Sequence, residues 1–147
     1  MLVDDLKVLL ATQYAFVIKS QFFHWNVEGP DFAQLHEFFG DIYEEVYDNA
    51  IDQTAEFIRI LDDYTPGSFE RFAELSLVPG QTKVPRARLM IQELLADSQT
   101  LIDHLNQCFA AAEAENQQGI ADFVAGRIDA MGKHRWQLRS FLREERA

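Results

Sequence analysis

Apolar residues recur at intervals of three and four along four long stretches of the chain, within which prolines and glycines are scarce. This spacing places the apolar side chains on one face of a helix. The stretches cover residues 4–27, 31–61, 85–115 and 120–142. The pattern therefore predicts an all-α protein with four long amphipathic helices.

The connections between these stretches differ in length. A glycine–proline pair breaks the first, and Asp31 with Gln34 predicts a capping box at the start of the second helix. Residues 62–84 form the longest connection, and their apolar spacing predicts a short helix within it. Residues 116–119 form the third, short break. Two antiparallel hairpins joined by a long crossover are the ferritin-like form of the four-helix bundle, and we expect one such domain over residues 1–147.

The composition limits the classes of partner. The chain carries 24 acidic and 13 basic residues, so its formal net charge is −11. This charge repels the phosphate backbone of nucleic acids and attracts metal cations. No uncharged apolar run is long enough to suggest a membrane span, and the N-terminus lacks the pattern of a secretory signal. Cys108 is the only cysteine, which agrees with a reducing compartment. We expect a cytoplasmic protein that binds neither membranes nor DNA.

Two of the four histidines lie where the ends of a helical hairpin face each other. His24 follows the apolar stripe of the first helix, and His36 lies in the first turns of the second. Because the connection between them is short, we expect the two imidazoles to approach each other. They are either partly buried, hydrogen-bonded side chains or metal ligands. His104 and His134 are expected to be structural or surface residues.

Asp52 and Glu56 lie four residues apart on the second helix, so their carboxylates share a face and can bind one hard cation. The alternative is a solvated acidic face. Sixteen residues separate His36 from Asp52, which is about 24 Å along a helix, so one chain cannot bring them to one ion. A two-fold axis near Glu44 would bring His36 of one chain to Asp52 of another.

A site within one chain would require a different pattern. Di-iron sites in bundle cores use a Glu-x-x-His pair on each of two helices. No histidine of this chain has a glutamate three residues before it. This absence favours a site shared between two chains.

Several short segments occur in a specific order along the chain. They are His24-Trp25-Asn26, Leu35-His36-Glu37, Asp52-Gln53-Thr54-Ala55-Glu56 and, in the last helix, Lys133-His134-Arg135-Trp136. In this order the chain resembles the Dps family of miniferritins over nearly its whole length. The resemblance implies that His24 and His36 of one subunit and Asp52 and Glu56 of its dimer partner are ferroxidase ligands.

By this resemblance, the protein would oxidise Fe²⁺ with hydrogen peroxide, or with oxygen, and store ferric mineral in a hollow shell. The shell would hold twelve subunits built from two-fold dimers and would protect against oxidative damage. Mixed imidazole and carboxylate ligation suits iron, and zinc would also fit. Trp25 would intercept radicals beside the site, although a packed core position is the simpler explanation for this tryptophan.

Two departures from the family pattern concern the site. Where the family commonly has an acidic ligand four residues after the second histidine, this chain has Gly40, and Asp41 is the alternative ligand. The interval between the second histidine and the first carboxylate is one residue longer than in the family. The extra residue falls near positions 47–50 and predicts a π-bulge. If the helix stayed regular, Asp52 and Glu56 would instead point about 100° away from the metal site.

Other acidic residues have expected roles in mineral formation. If the first half of the second helix faces the cavity, its carboxylates would nucleate mineral; they are Glu37, Asp41, Glu44 and Glu45. Asp122, near the start of the last helix, would line an iron entry pore.

Two rival functions remain at this point. Many family members coat DNA through a lysine-rich N-terminal extension, but only Lys7 and Lys19 are basic in the first twenty residues of this chain. The charge balance also opposes a DNA-coating protein. The other rival is a non-catalytic cage or scaffold, in which Gly40 and the inserted residue have degraded the ferroxidase site.

Overall fold

All regular elements of the structure, a computed structural model that describes residues 1–143, are helical. They are α1 (Leu2–Asn26), α2 (Phe32–Val46), a π-helical segment (Tyr47–Ile51), α3 (Asp52–Ile60), α4 (Phe69–Leu75), α5 (Ala87–Ala114) and α6 (Gln118–Leu142). The second predicted helix corresponds to α2, the π-helical segment and α3, which follow one another without a break. The predicted bundle and the short helix in the crossover, α4, are confirmed.

The contacts between helices define the direction of each one. Helix α1 packs against α2 and α5, and α5 packs against α6. The backbone N–H of Leu2 donates to Glu115, just beyond the end of α5, so α1 and α5 are antiparallel. Phe57 of α3 packs against Phe123 near the start of α6, with ring centroids 5.2 Å apart. The crossover therefore runs the length of the bundle, and α2 and α5 are parallel.

Burial of apolar side chains between these helices stabilises the bundle. In α1, 12 of the 25 residues are buried, so this helix is covered on more than one face. The largest fully buried side chains include Phe16, Phe23, Phe39, Ile42, Leu94 and Leu101. None of the helices within residues 1–143 is long and apolar enough to cross a membrane.

Helices α3 and α5 end at residues in the left-handed conformation, Asp62 with φ 63° and Asn116 with φ 58°. Beyond α5, the N–H of Gln117 donates to the carbonyl of Ala112 at 2.8 Å, which is the long bond of a Schellman motif. Aspartate and asparagine tolerate this conformation better than most other residues. Both predicted breaks are confirmed.

Two predicted helix starts are wrong in detail. Asp31 occupies the N-cap of α2, but its side chain makes no capping hydrogen bond, so no capping box forms. Its ψ of 21° departs from the extended conformation that directs an N-cap oxygen toward the first turn. Helix α5 begins at Ala87 because Arg86 is still extended, with ψ 158°, and Pro85 therefore precedes the helix.

A partly buried ion cluster joins α6 to α2, in which Arg127 and His134 are buried and Glu45 is half-buried. The Arg127 guanidinium donates to both oxygens of Glu45, at 2.6 and 2.9 Å, and His134 Nε2 donates to one of them at 2.7 Å. Burial disfavours the charged carboxylate, but the hydrogen bonds from His134 and Arg127 outweigh it and hold the pKa of Glu45 well below its usual range. The expectation of a structural His134 is confirmed.

The single cysteine lies in the core between α1 and α5. Cys108 is fully buried, and its Sγ lies 3.7 Å from the carbonyl oxygen of Asp5. Burial and the nearby charge of Asp5 raise the pKa of the thiol to about 12. The thiol is therefore protonated at neutral pH.

Glu45→Gln should destabilise the protein at neutral pH, because Arg127 would stay buried without a counter-charge. Breaking one partner of a buried pair costs about 3 kcal/mol. Because the pKa of Glu45 is lowered on folding, its contribution is fully present above the unfolded pKa of about 4.3 and is lost as the pH falls below it. The stability gap between wild type and E45Q should therefore narrow in acid.

Urea unfolding followed by circular dichroism at several pH values measures this gap. The matched control is Glu45→Leu with Arg127→Met, which removes both charges and should recover much of the loss. A gap that stays constant between about pH 7 and pH 3 would contradict the assigned role of the Glu45 carboxylate.

Candidate metal site

The imidazoles of His24 and His36 stack face to face at the α1–α2 hairpin. Their ring centroids are 3.9 Å apart, with 14° between the ring planes. Nδ1 of His24 donates to the backbone carbonyl of His36, and Nδ1 of His36 donates to the carbonyl of His24 at 2.7 Å. Gly29, with φ 111°, allows the turn that brings the helix ends together. The expected approach of the two histidines is confirmed.

These reciprocal hydrogen bonds fix the tautomer of both rings. A carbonyl oxygen can only accept a hydrogen bond, so each Nδ1 must carry the proton. In a neutral imidazole the lone pair then resides on Nε2. Metal-ligating histidines are commonly oriented in this way by a backbone carbonyl. The pair therefore presents two oriented Nε2 lone pairs that can bind a metal ion.

Gly40 lies directly beneath the His24 ring. A Cβ atom at this position would lie 3.1 Å from both Nδ1 and Cε1 of His24, which is tighter than ordinary van der Waals contact. The position where the family pattern has an acidic side chain thus faces the histidine pair. In this chain the ring of His24 occupies that space.

Aromatic side chains surround the two imidazoles. Phe32 stacks on His36 with a centroid separation of 5.2 Å, and the Tyr43 ring lies 5.5 Å from that of His24. Tyr43 was not singled out from the sequence, although its position seven residues after His36, two turns along the same face, is a signal that could have found it.

The core position expected for Trp25 is wrong. Its side chain is 64% exposed. The neighbouring positions of α1 explain this, because Phe23 faces the core and His24 faces the hairpin, while Trp25 follows on the outer side. Trp25 is therefore a surface residue next to the histidine pair.

The predicted π-bulge is confirmed at Tyr47–Ile51. Asp52 and Glu56 follow it as exposed residues of α3. Within residues 1–143, no three side chains of histidine, cysteine, aspartate or glutamate lie close enough to hold a metal ion. The two halves of the predicted site are therefore not joined within one chain, as the helix length required.

An apolar groove of about 820 Å³ lies between α1 and the α4 region. Tyr14 lines one end, where Phe72 stacks on it at 5.2 Å. Tyr47, the first residue of the π-helical segment that leads into Asp52, also lies at this end, with its ring centroid 6.3 Å from that of Tyr14. Burial, Tyr47 and Asp52 raise the pKa of Tyr14. Trp25, next to His24, lines the other end. The groove thus runs along α1 from Tyr14 to Trp25, the residue that follows His24.

The acidic residues predicted to nucleate mineral or to line a pore divide into two groups. Glu37, Asp41, Glu44 and Asp122 are exposed. Both carboxylate oxygens of Glu45 are bonded within the chain to Arg127 and His134, so Glu45 is not available to nucleate mineral. The sequence did not reveal this cluster because its members lie far apart along the chain.

The two basic residues near the N-terminus both form ion pairs within the chain. Lys7 pairs with Asp63 at 3.0 Å, and Lys19 is buried against Asp97 at 2.8 Å. Burial raises the pKa of Asp97 despite its bond to Lys19. Neither lysine forms part of an open cationic surface.

The chain is similar in sequence to proteins of a known family. The family model described as ferritin-like domain matches residues 3–147. A low temperature-induced protein of Nostoc sp., itself uncharacterized, is 36% identical over 135 residues, which are 90% of this chain and 75% of that protein. The chain is therefore a ferritin-like protein.

Solved structures define the class more narrowly. Dps from Thermosynechococcus elongatus matches with a TM-score of 0.94 and 26% identity, covering 98% of this chain and 91% of that one. A Dps protein from Vibrio cholerae, described as a member of a broad superfamily of ferritin-like diiron-carboxylate proteins, matches with a TM-score of 0.92 and 25% identity, covering 97% and 89%. The chain belongs to the Dps family.

Gly40→Ala should displace the His24 ring. Alanine in a helix interior is normally more stable than glycine by about 0.5–1 kcal/mol, but here the added methyl meets the imidazole. We therefore expect no gain in the free energy of unfolding. We also expect a weaker hydrogen bond from His24 Nδ1 to the carbonyl of His36, which the ¹⁵N spectrum of the histidine side chains detects. Gly132→Ala is the matched control, because a Cβ there meets nothing within 4 Å. Identical stability and imidazole spectra for G40A and G132A would rule out the contact.

Proposed function

We propose that the protein is a ferroxidase and iron-storing miniferritin. Fe²⁺ binds between His24 and His36 of one subunit and the Asp52 and Glu56 carboxylates of a second copy. The observation that carries the proposal is the histidine pair, in which reciprocal Nδ1 hydrogen bonds leave both Nε2 atoms free to bind.

The chemistry of the donor set suits this substrate. Imidazole nitrogen combined with carboxylate oxygen is a set that binds iron, and zinc competes for it. The two carboxylates offset the positive charge of the ion, which rises on oxidation to Fe³⁺. Two Fe²⁺ ions each give up one electron, and hydrogen peroxide takes both with two protons to form two water molecules. Oxygen is the alternative oxidant.

The apolar groove supports the pairing of two copies. Three of the exposed apolar side chains that line it are Ile18, Trp25 and Phe69, which are 45%, 64% and 81% exposed. Monomeric soluble proteins rarely expose large contiguous apolar surfaces. A second copy related by a two-fold axis would cover the groove and bring the His24 end of one chain to the Asp52 end of the other.

Storage requires a cavity, and we propose that dimers of this kind assemble into a hollow shell of twelve subunits. Exposed carboxylates on α2, those of Glu37, Asp41 and Glu44, would nucleate ferric mineral there. Asp122, exposed near the start of α6, would line an entry pore. The net charge of −11 favours the accumulation of cations.

We propose that this protein does not coat DNA. Lys7 and Lys19, the two basic residues near its N-terminus, are both held in ion pairs. The acidic excess also opposes the approach of a polyanion.

A non-catalytic cage is the second candidate, and Gly40 is the observation that favours it. The chain lacks a side chain at the position facing the histidine pair, so a second iron at each site would have fewer protein ligands. The two candidates differ in whether Fe²⁺ binds saturably and is oxidised.

Mixed assemblies test whether the site is shared between chains. His36→Ala and Glu56→Ala should each abolish saturable anaerobic Fe²⁺ binding. In a dimer of one chain of each kind, one site carries both changes and the other carries neither. Random mixing during co-expression should therefore restore about a quarter of the wild-type sites. A site within one chain would give no recovery.

The count of bound ions tests the role of Asp41. If Asp41 replaces the ligand absent at Gly40, wild type should bind two Fe²⁺ ions per site and Asp41→Asn should bind one. Anaerobic titration followed by calorimetry gives both numbers. Asp31→Asn is the matched control, because Asp31 is exposed at the start of the same helix, its side chain makes no capping hydrogen bond, and no iron-binding role is proposed for it. Equal counts in wild type and D41N would remove Asp41 from the site.

A further inference from the structure

A buried polar network lies directly against the π-bulge. Gln13 of α1 is 1% exposed, and its side-chain amide donates to the hydroxyl of Thr54 at 3.0 Å and to the carbonyl of Ala50 at 3.4 Å. The Thr54 hydroxyl donates to the same carbonyl at 2.6 Å. Two side chains therefore converge on one backbone oxygen of the bulge.

The network has a physical reason at this position. An inserted residue interrupts the regular ladder of helix hydrogen bonds, and buried polar groups need partners. If the bulge formed elsewhere along the helix, the carbonyl of Ala50 and the hydroxyl of Thr54 would move relative to α1, and Gln13 would be left buried with fewer bonds. The network therefore stabilises the bulge at Tyr47–Ile51 over other positions.

The outer side of the bulge is also held. The Asn49 amide donates to Glu45 at 3.1 Å, and Glu45 is itself fixed by Arg127 of α6. The Gln53 amide donates to the carbonyl of Asp48 at 3.1 Å. Contacts with both α1 and α6 thus keep the bulge in place.

The position of the bulge determines which way α3 faces. Successive residues of a helix are rotated by about 100° about the helix axis. An inserted residue that no bulge accommodates therefore rotates all the following side chains by that amount. Thr54 is fully buried and lies two residues from both Asp52 and Glu56, which are exposed. Fixing Thr54 toward the core therefore fixes the outward direction of both carboxylates.

We propose that Gln13 and Thr54 are positioning residues that hold the π-bulge and thereby aim Asp52 and Glu56 at the metal site. The role in metal binding rests on the proposed function, whereas the role in fixing the bulge does not. Neither residue touches the ion.

Thr54→Val and Thr54→Ser form a matched pair. Valine keeps the shape of threonine but removes the hydroxyl, and serine keeps the hydroxyl. With Fe²⁺ as the anaerobic probe, T54V should bind about tenfold more weakly than wild type, as is common when groups that orient metal ligands are lost, while T54S should bind like wild type. Circular dichroism and the mass of the assembly show that each variant is folded. Should T54V not fold, Gln13→Met takes its place with the same expectation.

Deleting Asn49 removes the extra residue and with it the need for a bulge. In that background, Thr54→Val should no longer change the Fe²⁺ affinity. An equal loss of affinity in both backgrounds would show that Thr54 contributes only to packing, and would overturn the proposal.

A crystal structure of T54V separates this proposal from the proposed function. A bulge displaced from Tyr47–Ile51, or spread over several turns, is expected in T54V, and a bulge at the wild-type position in T54S. An unchanged bulge in T54V would overturn the inference whether or not the protein binds iron. Absence of Fe²⁺ binding by wild type, together with a displaced bulge in T54V, would overturn only the proposed function and the part of the inference that concerns metal.

Discussion

The burial of α1 is the constraint on which the rest of the structure depends. This helix packs against α2, α3, α4 and α5, so it has few exposed positions for its polar side chains. Each buried polar group must then find a partner on another element. The bonds that result hold the α4 region, the π-bulge, α5 and the start of α2: Thr12 with Leu77, Gln13 with Thr54, Lys19 with Asp97 and His24 with His36. One central helix thereby positions the elements that carry the candidate site.

The fold was predictable because it depends on local signals. Helical periodicity and the breaker residues located all four long helices and α4, and most helix ends lie within about two residues of the predicted ones. The π-bulge was predictable because the interval between His36 and Asp52 is one residue longer than in the family that the chain resembles. The ion cluster was not, because Arg127 and Glu45 are 82 residues apart and no local pattern links them. The failed capping box at Asp31 depends on one backbone angle that composition does not determine.

The candidate site was predictable in part for the same reason. The approach of His24 and His36 follows from a short turn between two helices, and the separation of Asp52 from both follows from helix length. The reciprocal bonds to backbone carbonyls and the contact of Gly40 with the His24 ring depend on side-chain packing between two helices, which a single sequence does not give. Trp25 was misplaced because apolar character predicts burial, whereas in this chain the tryptophan lies on the face that we propose a second copy covers.

The environment of Cys108 bears on how the chain would endure its own proposed chemistry. Peroxides attack the thiolate form of cysteine and convert it to sulfenic acid, and further oxidation is irreversible. The sulfur of Cys108 is buried between α1 and α5, and a pKa of about 12 keeps it in the thiol form at neutral pH. The only cysteine of the chain is thus protected both by lack of access and by protonation. In the proposed reaction this sulfur would therefore not compete with iron for the oxidant.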